Sequence, residues 1–367
     1  MGHPHRIGIV GLGVISRQYL ETLAGVPSVR ITAVADLDRA RAEALAAELP
    51  DARAMGVDEL LASADVDTVL NLTIPAAHAE IALAAIANGK QVYGEKPLAA
   101  TFAQAREMVG AADAAGVRLG CAPDTVLGTG TQTARAAIDA GLIGRPFAAS
   151  AVMITPGHER WHPNPDFYYL EGGGPLLDMG PYYVAALIHL LGPVRSVMGA
   201  AARSRAERVI ATGPRAGERI PVEVDTHVTG ILEHEGGALS TLTTSFDGTA
   251  TTAAPSEVHG ERGTLAVPDP NLFDGDVRLA ALDGDPGWQR IEPSAGYADS
   301  GRGVGLLDFV RAQPGHRARA GADVALHSLE IMTALLDSAA SGRRVELTTS
   351  VERPASLPLI AADAWRA

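Results

Sequence analysis

The sequence predicts an α/β protein of two domains, with a parallel sheet wound on both sides first and a β-rich, helix-bearing domain after it. Three observations predict this. The 367 residues exceed what one ordinary core holds, so two domains are expected. From Arg6 to Cys121 short apolar runs alternate with helical patterns, the signature of a parallel sheet. From Arg195 to Trp288 short β-branched or alternating runs are separated by Gly, Pro and Asp. We place the domains at 1–124 and 125–367, with the C-terminal helices able to pack back on the first domain.

The first element is an apolar strand, Arg6 to Val10, running into Gly11-Leu-Gly13-Val-Ile-Ser16 and a helix to about Leu23. Gly11 permits a tight turn, Gly13 lets backbone approach a pyrophosphate, and Ser16 lets helix and strand pack closely. The helix start at Val14 and Ile15 offers N–H groups to phosphates. Val29 to Ala35 is the second strand and ends at Asp36, where the dinucleotide fingerprint carries a ribose-binding acid. Such an acid accepts from both ribose hydroxyls and repels a 2′-phosphate, so NAD is expected over NADP. Asp36 could instead cap the helix that begins near Arg39. The alternation continues with strands at Asp67–Leu72, Gln91–Gly94 and Val117–Cys121, and helices at Ala76–Asn88 and Thr101–Ala115. Ligands of such sheets sit at the carboxyl ends of strands. Thr73, Pro75 and His78 stand at one such end, and Glu95 and Lys96 at another. His78 has the bland alternative of a simple helix residue. A lysine is ordinarily a solvated charge. Lys96, held by Pro97 beside a cationic nicotinamide ring, would have a lowered pKa and could exchange protons near neutrality.

The second domain opens with a helix at Thr131–Ala140 and a strand at Pro146–Ile154. A loop then carries His158-Glu-Arg-Trp161-His162, which matches the zincin pattern His-Glu-x-x-His. That motif needs a continuous helix. Pro156 and Gly157 precede it, Pro163 and Pro165 follow, and a residue before proline avoids the α region. No metal is expected. Six of the sixteen aromatic residues lie between Trp161 and Tyr183, which suits stacking on the apolar face of a sugar ring, with His158, His162 and Asn164 bonding hydroxyls. Next comes Glu171-Gly-Gly-Gly-Pro175-Leu-Leu-Asp178-Met-Gly-Pro181-Tyr182-Tyr183. Pro175 suits the first turn of a helix reaching Leu191. Asp178 and Tyr182, four apart, would share a face, although Pro181 should kink the helix between them. Tyr183 points off that face and reads as packing. Further strands are expected at 222–232, 238–246, 255–260, 263–267 and 276–282, with Arg203 to Arg219 as a surface loop, and helices at 305–312 and 322–341.

Composition narrows the function classes. Net charge is −13 with no long basic run, which argues against nucleic acid. No stretch reaches the ~18 apolar residues that span a bilayer. The N-terminus reads as a strand and not as a signal peptide. The single cysteine, Cys121, excludes an internal disulfide and fits a reducing compartment, so a cytoplasmic location is expected.

Three motifs taken together resemble one known family. They are Gly11-Leu-Gly13 in a Rossmann unit, Glu95-Lys96-Pro97-Leu98-Ala99, and Gly172-Gly-Gly-Pro-Leu-Leu-Asp178-Met-Gly180. In order and spacing the chain is similar, over essentially its whole length, to the glucose–fructose oxidoreductase, inositol dehydrogenase and rhizopine catabolism (Gfo/Idh/MocA) superfamily. The resemblance implies a Rossmann domain and a second domain with an open, mostly antiparallel sheet, often the interface of a homodimer or homotetramer. It implies a nicotinamide cofactor and a sugar, cyclitol or polyol substrate. It matches Lys96, often before a cis proline bond, and Asp178 to the family's catalytic lysine and aspartate, and it places Glu95 at the nicotinamide ribose. Many members carry histidine four residues after the aspartate. This chain has Tyr182, as in a tyrosine-bearing subset, so its acid–base group would be a phenol. The expectation is an NAD(H)-dependent sugar or polyol oxidoreductase with Lys96, Asp178 and Tyr182 catalytic and Trp161 and His162 against substrate. Two alternatives stay open: transient sugar oxidation with a retained cofactor, and a non-catalytic sugar or dinucleotide sensor.

Overall fold

The computed structural model describes residues 3–284, 286–312 and 318–367. They form two compact units, one of residues 1–128, 297–326 and 357–367, the other of 129–296 and 327–356.

The first unit begins with β1 (His5–Val10), α1 (Val14–Leu23), β2 (Val29–Ala35), α2 (Arg39–Glu48), β3 (Arg53–Ala54) and α3 (Val57–Ala62). It continues with β4 (Thr68–Asn71), α4 (Pro75–Ala87), β5 (Gln91–Gly94), α5 (Phe102–Ala115) and β6 (Leu119–Cys121). The strands lie in the order β3-β2-β1-β4-β5-β6, all parallel. That is the doubly wound dinucleotide-binding order, with its crossover between β1 and β4. Local chemistry sets the helix ends. Thr101 and Gln104 form a reciprocal capping box on α5, and Gly116 closes it in the left-handed region. Pro75 takes the first position of α4, where its missing N–H goes unnoticed. Residues β1 and β4 contribute, from Ile7 to Val10 and Thr68 to Asn71, are buried on both faces, as a covered parallel sheet requires.

The second unit holds α6 (Thr129–Asp139), β7 (Pro146–Ile154), α7 (Pro175–Leu191), β8 (Val194–Ala202), β9 (Glu207–Val209) and β10 (Arg219–Pro221). β11 (His227–His234), β12 (Leu239–Ser245), β13 (Ser256–Gly260), β14 (Gly263–Val267), β15 (Val277–Ala281) and β16 (Gln289–Ile291) follow. The large sheet runs β16-β15-β14-β13-β7-β12-β11-β8-β18, where β18 is Val345–Glu346. Only the β7–β12 pair is parallel; β11 meets β12 and β8 antiparallel, as does every other neighbour. The mostly antiparallel sheet is therefore present. Two expectations are corrected. The stretch from Arg203 to Arg219 is no simple loop, because β9 and β10 pair within it as a hairpin. The strand expected from Val222 starts only at His227. The Val222 N–H donates to Ala206 at 2.9 Å and so belongs to the hairpin.

Helix α9 (Ala322–Ser341) lies on this sheet, and the unit boundary at 326/327 falls within it. Gly199 of β8 and Gly230 of β11 are cross-strand partners, and a Cβ at either would collide with Leu335 of α9. Their bareness is what lets helix backbone approach sheet backbone. β17 (Gly296–Tyr297), α8 (Val304–Arg311), β19 (Leu359–Ile360) and α10 (Ala362–Arg366) complete the chain. Within the first unit Trp365 is buried and its indole donates to Ala298 O at 2.8 Å.

Gly199→Ala should destabilise the second unit by about 1–3 kcal/mol through overpacking. Differential scanning calorimetry should show a melting point a few degrees lower, with NADH binding unaltered.

Candidate active site

In the first unit, the glycine turn between β1 and α1 shows two kinds of glycine. Gly11 has φ 91°, and a Cβ there would lie 2.7 Å from the Leu72 carbonyl. It serves the protein's own packing. Gly13 has φ −71° and no atom within 4 Å of where its Cβ would be. Nothing in the chain demands glycine at this position, and the space it leaves is where a pyrophosphate would sit. The start of α1, at Val14 and Ile15, has no side-chain cap, so its N–H groups point at the same space. Ser16 is buried and donates to Gly13 O at 2.7 Å.

Asp36 Oδ2 accepts the Leu12 N–H at 2.8 Å and Oδ1 the Asp38 N–H at 2.9 Å. The acid is thus fixed against the glycine turn. It does not cap α2, whose N-cap is Asp38, accepting from Arg41 N. Val14, Leu37 and Ile74 are 91, 99 and 69 % exposed at the carboxyl ends of their strands. Large apolar side chains left open around a glycine turn suit the planar rings of a dinucleotide. Thr73 donates to Asn71 Oδ1 at 2.6 Å, with Pro75 exposed beside it.

His78 is buried, with Nδ1 2.7 Å from Pro97 O and Nε2 3.0 Å from Thr73 O. Burial holds its pKa below the ordinary value. Both ring nitrogens face backbone carbonyls, so His78 ties the Thr73 loop to the Lys96–Pro97 turn. The Lys96–Pro97 bond is cis. Lys96 is half-buried, and its N–H donates to Glu95 Oε2 at 3.0 Å. Glu95 Oε1 accepts from the Tyr19 hydroxyl at 2.8 Å. Burial first, and then the Glu95 charge, push the Tyr19 phenol well up, so it stays a donor. Sequence reasoning passed over Tyr19. Its spacing of three from Ser16 places it on the buried face of α1, and that was the available signal.

In the second unit, α7 is one helix from Pro175 to Leu191 with Pro181 inside it. Asp178 is in its first turn, partly open, with its N–H on Gly174 O at 3.1 Å. Tyr182, one turn on, is buried. Tyr183 donates to Asp269 at 3.0 Å, and burial pushes its phenol well above the usual range, in keeping with packing. The loop before α7 supplies what sequence reasoning missed. His158 Nε2 lies 2.9 Å from Asp178 Oδ2. Trp161 donates its indole N–H to His158 Nδ1 at 3.3 Å. His162 accepts the Asn164 N–H on its own Nδ1 at 3.1 Å, and its pKa is lowered, chiefly by burial. Residues His158–Arg160 make a single 3-10 turn, so the two histidines of the zincin-like pattern face different partners. The structure therefore gathers Asp178, Trp161 and His162 around His158. Trp161 and Phe167 are 59 and 54 % exposed, edge to face with His162.

Beneath this loop Arg208 is only 1 % exposed. It donates to Glu159 Oε1 at 3.2 Å and pairs closely with Asp247, while Tyr169 donates to the other Glu159 oxygen. Within the second unit a separate cleft of about 820 Å³ opens just before α7, lined by Glu171, Gly172, Gly173, Arg203 and Asp337. Neither Asp178 nor Tyr182 is among its lining residues.

Residues 5–122 match the model of an oxidoreductase family with an NAD-binding Rossmann fold, and residues 131–266 that of the GFO/IDH/MocA C-terminal domain. The chain belongs to the Gfo/Idh/MocA oxidoreductases. It is 29 % identical over 359 residues to a 1,5-anhydro-D-fructose reductase of Ensifer adhaerens, covering 95 % of this chain and all of the relative. It is 30 % identical over 271 residues to a dTDP-3,4-didehydro-2,6-dideoxy-alpha-D-glucose 3-reductase of Saccharopolyspora spinosa, covering 73 % and 75 %. Among solved structures it is similar to an NAD-binding oxidoreductase from Klebsiella pneumoniae, with TM-score 0.82, 25 % identity, and 95 and 100 % of the two chains covered. This Gfo/Idh/MocA protein is thus an NAD-dependent oxidoreductase, and the space at Gly13, the α1 start and the fixed Asp36 fit that cofactor.

Gly13→Val should leave the melting temperature unchanged and lower NADH affinity at least tenfold in a fluorescence titration. An unaltered affinity would remove Gly13 from the cofactor site.

Proposed function

We propose that this enzyme oxidises or reduces a hydroxyl-bearing carbon of a sugar, glycoside or polyol. Bound NAD supplies the chemistry by accepting or returning a hydride. Tyr182, or Lys96 acting with it, takes the hydroxyl proton. A phenol with a reference pKa of about 10 needs help to ionise at neutral pH. Asp178 orients the substrate hydroxyl. Glu95, fixed by Tyr19, lines the nicotinamide ribose. Trp161 and His162 meet the sugar, the first by stacking and the second by hydrogen bonding.

The observation that carries this reading is Lys96 at the carboxyl end of β5, directly after a buried Glu95, in a sheet of dinucleotide-binding order. Support comes from relatives whose names are those of sugar reductases. A homodimer or homotetramer through the large sheet goes with the reading. Met198 and Ile231, cross-strand partners on β8 and β11, are exposed apolar residues that such an interface would cover. Among the described residues no helix is long and apolar enough to cross a membrane, and a cytoplasmic small-molecule enzyme fits the single buried cysteine.

A panel that includes 1,5-anhydro-D-fructose with NADH and myo-inositol with NAD, followed by nicotinamide absorbance, tests the substrate class. On the best substrate, Lys96→Met and Tyr182→Phe should each lower kcat by roughly 10²–10⁴-fold, with NADH affinity changing far less. Wild-type rates in both variants would sink the mechanism.

A further inference from the structure

Asp178 has a close neighbour for which the proposed reaction states no task. His158 places Nε2 2.9 Å from Asp178 Oδ2 and receives the Trp161 indole N–H on Nδ1 at 3.3 Å. An indole nitrogen donates and never accepts. Nδ1 must therefore present its lone pair, and the one proton of the neutral ring lies on Nε2, donated to the carboxylate. The ring is also held in place. Trp161, Tyr168 and Phe246 surround it at centroid distances of 5.1, 4.5 and 4.3 Å, and its own backbone N–H donates to the Tyr169 hydroxyl at 3.1 Å.

We propose that His158 is a positioning residue of the reaction: a neutral imidazole, locked as the Nε2-protonated tautomer by Trp161, that aims the Asp178 carboxylate. The inference rests on the role given to Asp178 above.

The same indole is 59 % exposed, so one side chain both offers a stacking face and sets the tautomer of the residue behind it.

Trp161→Phe keeps an aromatic ring and removes only the donor. At pH 7.5 kcat should then fall about tenfold while NADH affinity stays unaltered. In a His158→Gln background, where an amide donates to Asp178 whatever stands at 161, the same change should lower kcat no further. Nitrogen NMR of the ¹⁵N-histidine-labelled full-length protein, with His158 assigned by His158→Gln, reads the tautomer without turnover. The expected result is the Nε2–H form at pH 7.5 in wild type, with the Nδ1–H form gaining in Trp161→Phe. An Nδ1–H form in wild type, an unaltered kcat in Trp161→Phe, or an equal fall in both backgrounds would overturn the inference. Wild-type protein that shows the lock but turns over no sugar would overturn the proposed function; turnover without the lock would overturn this inference alone.

Discussion

A buried guanidinium with two carboxylates is the constraint on which the second unit depends. Moving Arg208, Glu159 and Asp247 out of water costs several kcal/mol per ion, and only close pairing offsets it. The geometry is therefore all or nothing. Removing one partner would cost about 3–5 kcal/mol, because the remaining charges would stay buried. What the pairing achieves is positional. It joins the β9–β10 hairpin, the end of β12 and the 3-10 turn at His158–Arg160, three pieces far apart in sequence. The turn cannot move without exposing the charges. His158 and Glu159 are neighbours on that turn, one directed to Asp178 and the other to Arg208. The stability of the ion cluster thus becomes precision at the acid of the site.

The first unit places its chemistry by backbone. Gly11 is bare because Leu72 is in the way, and Gly13 is bare with nothing in the way. Asp36 uses both carboxylate oxygens on main-chain N–H groups. Its direction is therefore set before any ribose arrives, which is preorganisation in the physical sense. His78 and Tyr19 do for Lys96 and Glu95 what side chains rather than glycines must do, holding a short strand end from below.

Most of the first unit was legible because its signals are local. Strand, glycine turn and helix follow one another within twenty residues, and the alternation from 91 to 121 needs no partner to be read. Helix α7 was legible for the same reason, with Pro175 at one end and Gly192 at the other. The losses are non-local. Arg203 to Arg219 is charged and glycine-bearing, so it reads as loop; the burial of Arg208 depends on Glu159 and Asp247, 49 and 39 residues away. His158 and Asp178 are 20 residues apart, and no periodicity connects them. The His-Glu-x-x-His pattern fell on residues with protein partners, His158 with Asp178 and His162 with the Asn164 N–H. The ring direction of His78 was not legible, because its position at a strand end says nothing about which way the ring turns.

The first unit is assembled from three separated pieces of chain, 1–128, 297–326 and 357–367. This has a consequence for synthesis on the ribosome. The second unit draws on 327–356, and β19 and Trp365 close the first unit against β17 and Ala298 from the far end of the sequence. The first unit, although its parallel sheet is made first, is not complete until that last segment has been synthesised. In strict chain order the second unit has all its residues at Ser356, before the first has its own, and a nascent chain halted within 297–356 carries both in unfinished form.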